Sequence, residues 1–173
     1  GGSVSVMDRI EITNKINQIK SLVDTKILPD VYIAYGDFTD EEINDLYNHE
    51  KVKVHISFTK GEGFGRPLIE AAITGKPIIT SNWYGHLDFL NTESSILIDG
   101  QLTKVHKSAS WKGVLNEDAE WFTIDYGKAI AGFHAFLNQK PNDDRSRVAL
   151  FALGHAYIMA DNSIKAKEIF ERF

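Results

Sequence analysis

Residue types able to do chemistry concentrate between Gly61 and Glu70, where the chain runs Gly61, Glu62, Gly63, Phe64, Gly65, Arg66, Pro67, Leu68, Ile69 and Glu70. Three glycines in five positions let the main chain approach a ligand closely, because no side chain shields its amides. Pro67 suits the first turn of a helix. The amides at the start of that helix lack intrahelical partners, so they and the positive end of the helix dipole face the same space. A diphosphate fits such surroundings, and Arg66 and Lys60, which flank the loop, either touch phosphate or stay in solvent. Glu62 on the loop and Glu70 about one turn into the helix stand at opposite ends of the segment, and a carboxylate there can accept hydrogen bonds from vicinal hydroxyls. The residues thus predict a ligand with an anionic part and a polyhydroxylated part.

Such a loop needs a strand to deliver it and a helix to leave by. Val52, Val54, Ile56 and Phe58 alternate with Lys53, His55 and Ser57, which predicts a strand running into the loop. Leu68, Ile69, Ala71, Ala72 and Ile73 then predict a helix of about two turns, closed by Gly75. Upstream, helical spacing of Ile10, Ile12, Ile16, Ile19, Leu22 and Val23 predicts an amphipathic helix from Asp8 to Val23, with Pro29 closing the connection. Val31 to Tyr35 reads as a buried strand. Thr39 with Glu42 has the form of a capping box, opening a helix to about Asn48 with Ile43, Leu46 and Tyr47 as its apolar stripe.

Downstream, Pro77 to Ser81 reads as a third strand, Tyr84 to Leu90 as a short helix and Ser95 to Ile98 as a fourth strand. This alternation predicts an α/β fold: a Rossmann-like, doubly wound parallel sheet with helices on both faces, whose ligand lies beyond the carboxyl ends of the strands. Gln101 to Ala119 reads as a loop or irregular hairpin. Helices are expected at Asp125 to Leu137, ended by Lys140-Pro141-Asn142, then at Arg145 to Met159 and Ser163 to Phe173.

A chain of 173 residues is the size of one domain, and a net charge of −5 argues against a surface that tracks nucleic acid or an anionic membrane. The absence of cysteine removes disulfides, thiolate nucleophiles and Cys-ligated metals, which fits a cytoplasmic protein or one peripheral to a membrane. No apolar run is long enough to span a bilayer. The six His residues show no ligand spacing such as His-x-x-x-His. Gly1-Gly2-Ser3 reads as a tag or linker, and residues 1–6 are set apart from the domain.

The block from Glu62 to Ile79 resembles the E-x7-E block of the group 1, family 4-like, retaining glycosyltransferases. These are GT-B enzymes with two facing Rossmann-like domains. The family pattern is Glu-Gly-Phe-Gly, an apolar stretch, Glu-Ala, then Gly-x-Pro and a strand. It is met by Glu62, Gly63, Phe64, Gly65, Glu70, Ala71, Gly75 and Pro77. The Asp-Glu-Glu helix before it and Trp83-Tyr84-Gly85-His86-x-Asp88 after it match as well, so the resemblance spans about 31–100 and is looser in the helical tail.

The resemblance implies a C-terminal, donor-binding domain for a nucleotide-diphosphate sugar of UDP or GDP type. It makes Glu62 the catalytic-site carboxylate beside the transferred sugar and Glu70 the ribose ligand, with Gly61, Gly63, Phe64, Gly65 and Arg66 around the sugar and diphosphate. Independently of the resemblance, Trp83, Tyr84 and His86 follow the third strand at its ligand-facing end, where each can meet the sugar or serve packing. The resemblance further implies retention of anomeric configuration by front-side displacement, with no metal or other cofactor. The strand-helix-strand unit that carries the family's diphosphate-clamping Arg and Lys has no counterpart in the sequence. Neither does an acceptor-binding N-terminal domain of roughly 150–200 residues. Residues 1–173 are therefore expected to be one donor domain, closed by helices over 143–173, that does not turn over substrate alone. The acceptor is not legible.

Two other functions are compatible with the fold. One is a non-catalytic module kept for assembly through the helical tail, where Leu153 to Tyr157 and Ala166 to Phe170 resemble one tetratricopeptide-type hairpin. A single such hairpin cannot bury its own face. The other is a sugar-nucleotide epimerase, against which the Glu-Gly-Phe-Gly block speaks. Among the remaining residues, Lys76 belongs to a turn. Lys104, His106, Lys107 and Lys112 form a solvated basic cluster. Trp111 and Trp121 read as core or interdomain anchors, and His49, His55, His134 and His155 as structurally satisfied.

Overall fold

The computed structural model describes residues 6–21, 30–92, 95–110, 113–116, 118–139 and 146–172. The start at Gly1-Gly2-Ser3, Leu22, Val23, Pro29, Trp111, Lys112, Lys140-Pro141-Asn142, Arg145 and Phe173 lie outside the described residues, as does the His155 side chain. The chain divides into two compact units, Tyr47–Ala131 and a second made of Gly1–Leu46 with Gly132–Phe173.

The first unit carries a three-stranded parallel sheet of order β1-β2-β3, with β1 at His55–Ser57, β2 at Ile78–Ser81 and β3 at Ser95–Ile98. Ile56 pairs with Ile79, and Ile79 with Ile96. All four residues of β2 are buried, as expected for the central strand of a parallel sheet. Helix α3, Arg66–Ile73, joins β1 to β2 and buries Leu68 and Ala71 with Ile78 and Leu90; Ala72, Phe89 and Leu97 pack around them. Gly75 leaves the helix at φ 71°. Lys76 donates to the carbonyl oxygens of Tyr47 (2.6 Å) and His49 (2.7 Å), at the end of α2, Asp40–Asn48. The result is a mixed α/β arrangement consistent with a Rossmann-like domain.

Past β3 the chain makes an antiparallel pair, β4 at Gly100–Lys104 with β5 at Glu120–Ile124. The hairpin is regular at its base and includes residues 120–124, which lie beyond the region read as irregular. Trp121 and Phe122 could have signalled a strand. Gly100 permits the close pairing, since a Cβ there would stand 2.2 Å from the Thr123 carbonyl oxygen. The expected helix at 84–90 is a 3₁₀ turn, Gly85–Asp88.

In the second unit, α1 spans Val6–Ser21 but buries no residue. At 100° per residue Val6, Met7 and Ile10 fall on one side and Ile12, Ile16 and Ile19 on the opposite side, so the single apolar stripe is not formed. The predicted capping box is present: Thr39 N donates to Glu42 Oε2 (2.8 Å) and Glu42 N to Thr39 Oγ1 (3.2 Å). Residues 31–35 are not a strand. Among the described residues no strand pairs with them, the side chains of 31–34 stay exposed, Tyr32 at 88%, and β-propensity alone does not hold a strand. The strand expected over 52–58 likewise shortens to β1, because Val52 N closes a turn on His49 O (3.0 Å). Helix α4 spans Tyr126–Gln139, with Lys128 N donating to Asp125 Oδ1 (3.0 Å) at its start. Helices α5, Ser146–Met159, and α6, Ser163–Phe170, pack together where Gly154 leaves room for the Phe170 ring.

Candidate functional site

Because β1, β2 and β3 run parallel, their carboxyl ends share one edge of the sheet, and residues 58–65, 82–84 and 99 leave from it. Hydrogen bonds tie these exits together. Ser81 Oγ donates to Thr59 O (3.4 Å), Asn82 N to Ile98 O (2.7 Å) and Asn82 Nδ2 to Asp99 Oδ1 (2.8 Å). Phe122 N donates to Lys60 O (2.9 Å), which joins β5 to the first exit. The Asn82 hydrogen bond, assisted by Lys128, holds the Asp99 carboxyl below its ordinary range.

The glycines of the first exit divide into two kinds. Gly65 sits at φ 91°, where a Cβ would meet His86 Cβ at 3.0 Å, and its carbonyl accepts from Leu68 N and Ile69 N to start α3. Glycine is needed there by the protein itself. Gly61 and Gly63 lie outside the left-handed region, and a Cβ on either would meet nothing within 4 Å. Their missing side chains leave open space.

Glu62 folds back so that its Oε1 accepts from Gly65 N (3.2 Å), a contact that shapes the turn and leaves the carboxylate further acceptor capacity. Phe64 is 56% exposed, its ring 5.5 Å from that of Phe89. Arg66 opens α3, and its Nε donates to Glu70 Oε1 at 2.6 Å. A cation at a helix N-terminus opposes the dipole. Glu70 offsets part of that charge and, after burial itself, helps raise the Tyr47 hydroxyl above its ordinary pKa.

The second exit crosses the first at one point. A Cβ on Gly85 would stand 1.9 Å from Gly63 O, so the two backbones touch. Trp83 stacks on Phe122 with ring centroids 5.1 Å apart and planes 6° from parallel, and on Tyr84 at 6.1 Å. His86 is fully buried; its Nε2 donates to Ser81 O (2.6 Å), and its Nδ1 has no partner among the described residues. Lys60 Nζ lies 4.2 Å from the Trp121 ring centroid. The loop residues, the Arg66–Glu70 pair and the Trp83 cluster are thus gathered at one sheet edge. Three parts of it carry little or no signal in the spacing of residues: the backbone crossing at Gly85, the Asn82–Asp99 bridge and the support from Phe122. Only the Tyr-Gly pair before a short turn hinted at the first.

Away from this edge, His55 meets the Tyr47 ring edge-on at 5.0 Å, and its Nε2 has no partner among the described residues. Burial, then Lys76, lowers its pKa. His134 Nε2 lies 2.8 Å from Tyr157 Oη, and His49 Nδ1 accepts from Lys51 N (3.2 Å). Lys104, His106 and Lys107 are exposed. Among the described residues no helix is long and apolar enough to cross a membrane.

Neither a curated protein nor a solved structure matches the chain significantly. The family model for group 1 glycosyl transferases does match, over residues 13–117. That span includes the glycine loop, α3 and all three parallel strands, so the chain belongs to the group 1 glycosyltransferases and its chemistry is glycosyl transfer.

Proposed function

We propose that this chain binds a nucleotide-diphosphate sugar of UDP or GDP type and presents it for hexosyl transfer with retention of configuration. The observation that carries the proposal is the open space at Gly61 and Gly63. Packing and backbone conformation account for glycine at positions 65 and 85 but not at these two. Main-chain amides that no side chain shields, ahead of a helix N-terminus, suit a diphosphate. Arg66, exposed at the first turn of α3, adds a guanidinium that can bond two phosphate oxygens.

In this reading Glu70 exchanges Arg66 for the ribose hydroxyls, and Glu62 stands beside the anomeric carbon. Phe64 and Gly65 line the sugar side. Trp83 is the further candidate for sugar contact, whereas His86, fully buried with Nε2 on Ser81 O, holds the turn that carries it. The anomeric carbon–oxygen bond to the diphosphate breaks as the acceptor hydroxyl oxygen bonds on the same face and passes its proton to the departing diphosphate oxygen, and positive charge stabilises that leaving group. No metal or other cofactor is assigned. The acceptor site is assigned to a separate N-terminal domain of GT-B type, so residues 1–173 are expected to bind the donor without turning it over.

Titration of the 13C,15N-labelled chain with UDP, GDP and ADP to millimolar concentration tests this. At least one nucleotide should shift the amide resonances of residues 61–70, and Glu70→Gln should weaken it. Unmoved resonances with all three would dismiss donor binding.

A further inference from the structure

Tyr84 combines three properties that do not ordinarily occur together. Its backbone lies at φ 72°, ψ −148°, a conformation essentially confined to glycine, and it is one of two non-glycine residues with positive φ among those described. Its side chain is 63% exposed, so core packing does not explain why a large aromatic residue is kept there. Its ring lies in a run of aromatic contacts, 6.1 Å from Trp83 at 27°, with Trp83 in turn parallel to the buried Phe122. Strained backbone of this kind clusters at binding sites, where surrounding structure holds it. Here that structure is adjacent, since Gly85 is pressed against Gly63 O and the Leu87 amide donates to Tyr84 O (3.0 Å).

We propose that the Tyr84 ring is a stacking surface for the apolar C–H face of a pyranose ring, belonging to the sugar of the donor or to that of the acceptor. The placement follows from the backbone crossing. Gly85 touches the loop at Gly63 and Phe64, at the end of the segment that carries Glu62 and away from Glu70, one turn into α3. Resting on the donor-binding reading above, this puts Tyr84 at the sugar end and not the ribose end. Phe64, exposed and at the same crossing, adds apolar surface. A pyranose has hydroxyls for carboxylates on its rim and C–H groups on its face, so Glu62 and an aromatic ring together match its chemistry.

The test uses the whole chain with Tyr84→Ala and Tyr84→Phe, after thermal unfolding shows each to be folded. UDP, GDP, UDP-glucose, UDP-N-acetylglucosamine, GDP-mannose and methyl α-D-glucopyranoside are titrated by NMR. A donor-sugar contact predicts that Tyr84→Ala weakens a nucleotide sugar about three- to tenfold while its nucleoside diphosphate changes less than about twofold, with Tyr84→Phe like the parent. An acceptor-sugar contact predicts unchanged nucleotide sugars, with methyl glucoside shifting the Tyr84 ring resonances in the parent and no longer shifting its neighbours in Tyr84→Ala. Equal weakening of nucleotide and nucleotide sugar, or no effect in any arm, overturns the Tyr84 assignment while leaving donor binding intact. Failure of the parent chain to bind any nucleotide overturns both.

Discussion

Gly85 lies against Gly63 so closely that a methyl group on its Cα would stand 1.9 Å from the Gly63 carbonyl oxygen. The turn after β2 is thereby seated on the turn after β1 by backbone contact, with no side chain between them. Gly85→Ala must push the two apart and is expected to destabilise the chain by about 1–3 kcal/mol, as overpacking does. Gly63→Ala meets nothing within 4 Å, so its stability should stay within about 0.5 kcal/mol of the parent. If the open space belongs to the ligand, Gly63→Ala should nonetheless lose about tenfold in UDP or GDP affinity, about 1.4 kcal/mol. Thermal unfolding and nucleotide titration of the two variants separate these effects.

Tyr84 gives a stability comparison independent of any ligand. Tyr84→Ala and Tyr84→Gly both delete the ring, but only glycine takes φ 72°, ψ −148° without strain. Relief of about 1–3 kcal/mol of strain outweighs the roughly 0.5–1 kcal/mol that glycine loses to unfolded-chain entropy. Tyr84→Gly should therefore be the more stable of the two by about 1 kcal/mol, read from urea midpoints at equal slope.

Arg66 and Glu70 form a short ion pair, yet the Arg66 side chain is 77% exposed, and such a pair adds little to stability. Arg66→Ala should leave urea unfolding within about 0.5 kcal/mol of the parent. Its binding effects should divide by ligand. If Arg66 holds phosphate, UDP or GDP weakens several-fold, roughly 1–2 kcal/mol, while the bare nucleoside binds as well or better because Glu70 is released. Equal loss for nucleoside and nucleotide would remove Arg66 from the phosphate site.

His55 predicts the pH dependence. Its folded pKa lies below the ordinary value because burial, and then Lys76, disfavours the charged ring. The unfolded state therefore binds the proton more readily. Stability from the neutral ring is complete above the unfolded value of about 6.5 and declines as pH falls through the lower folded value. Denaturant midpoints should fall between about pH 7 and pH 5 in the parent. The fall should be shallower in His55→Gln, and also in Lys76→Met, which removes the second cause.

The local devices were legible in the sequence because each is complete within a few residues. Thr39 and Glu42 cap their helix through bonds that span three positions. Gly65, Pro67 and Gly75 bound α3 by conformations that neighbouring side chains do not alter. The strands at 78–81 and 95–98 are legible because each carries a run of apolar residues, Ile78–Ile79 and Ile96–Ile98. Residues 31–35 show the limit: the same β-branched and aromatic composition forms no strand without a strand beside it. Residues 120–124 show the converse, since β5 exists by pairing with a segment about twenty positions earlier in the chain.

At the sheet edge, the sequence by itself determined the glycine loop and its two carboxylates, Glu62 and Glu70, because their spacing is a local pattern. The tertiary structure decided what those residues touch. It separated the glycines the protein needs at 65 and 85 from those left open at 61 and 63, buried His86, and left Tyr84 exposed on a strained turn. These outcomes depend on which turns meet across the ends of β1 and β2, and a contact between residues more than twenty positions apart has no signature in the spacing of either segment.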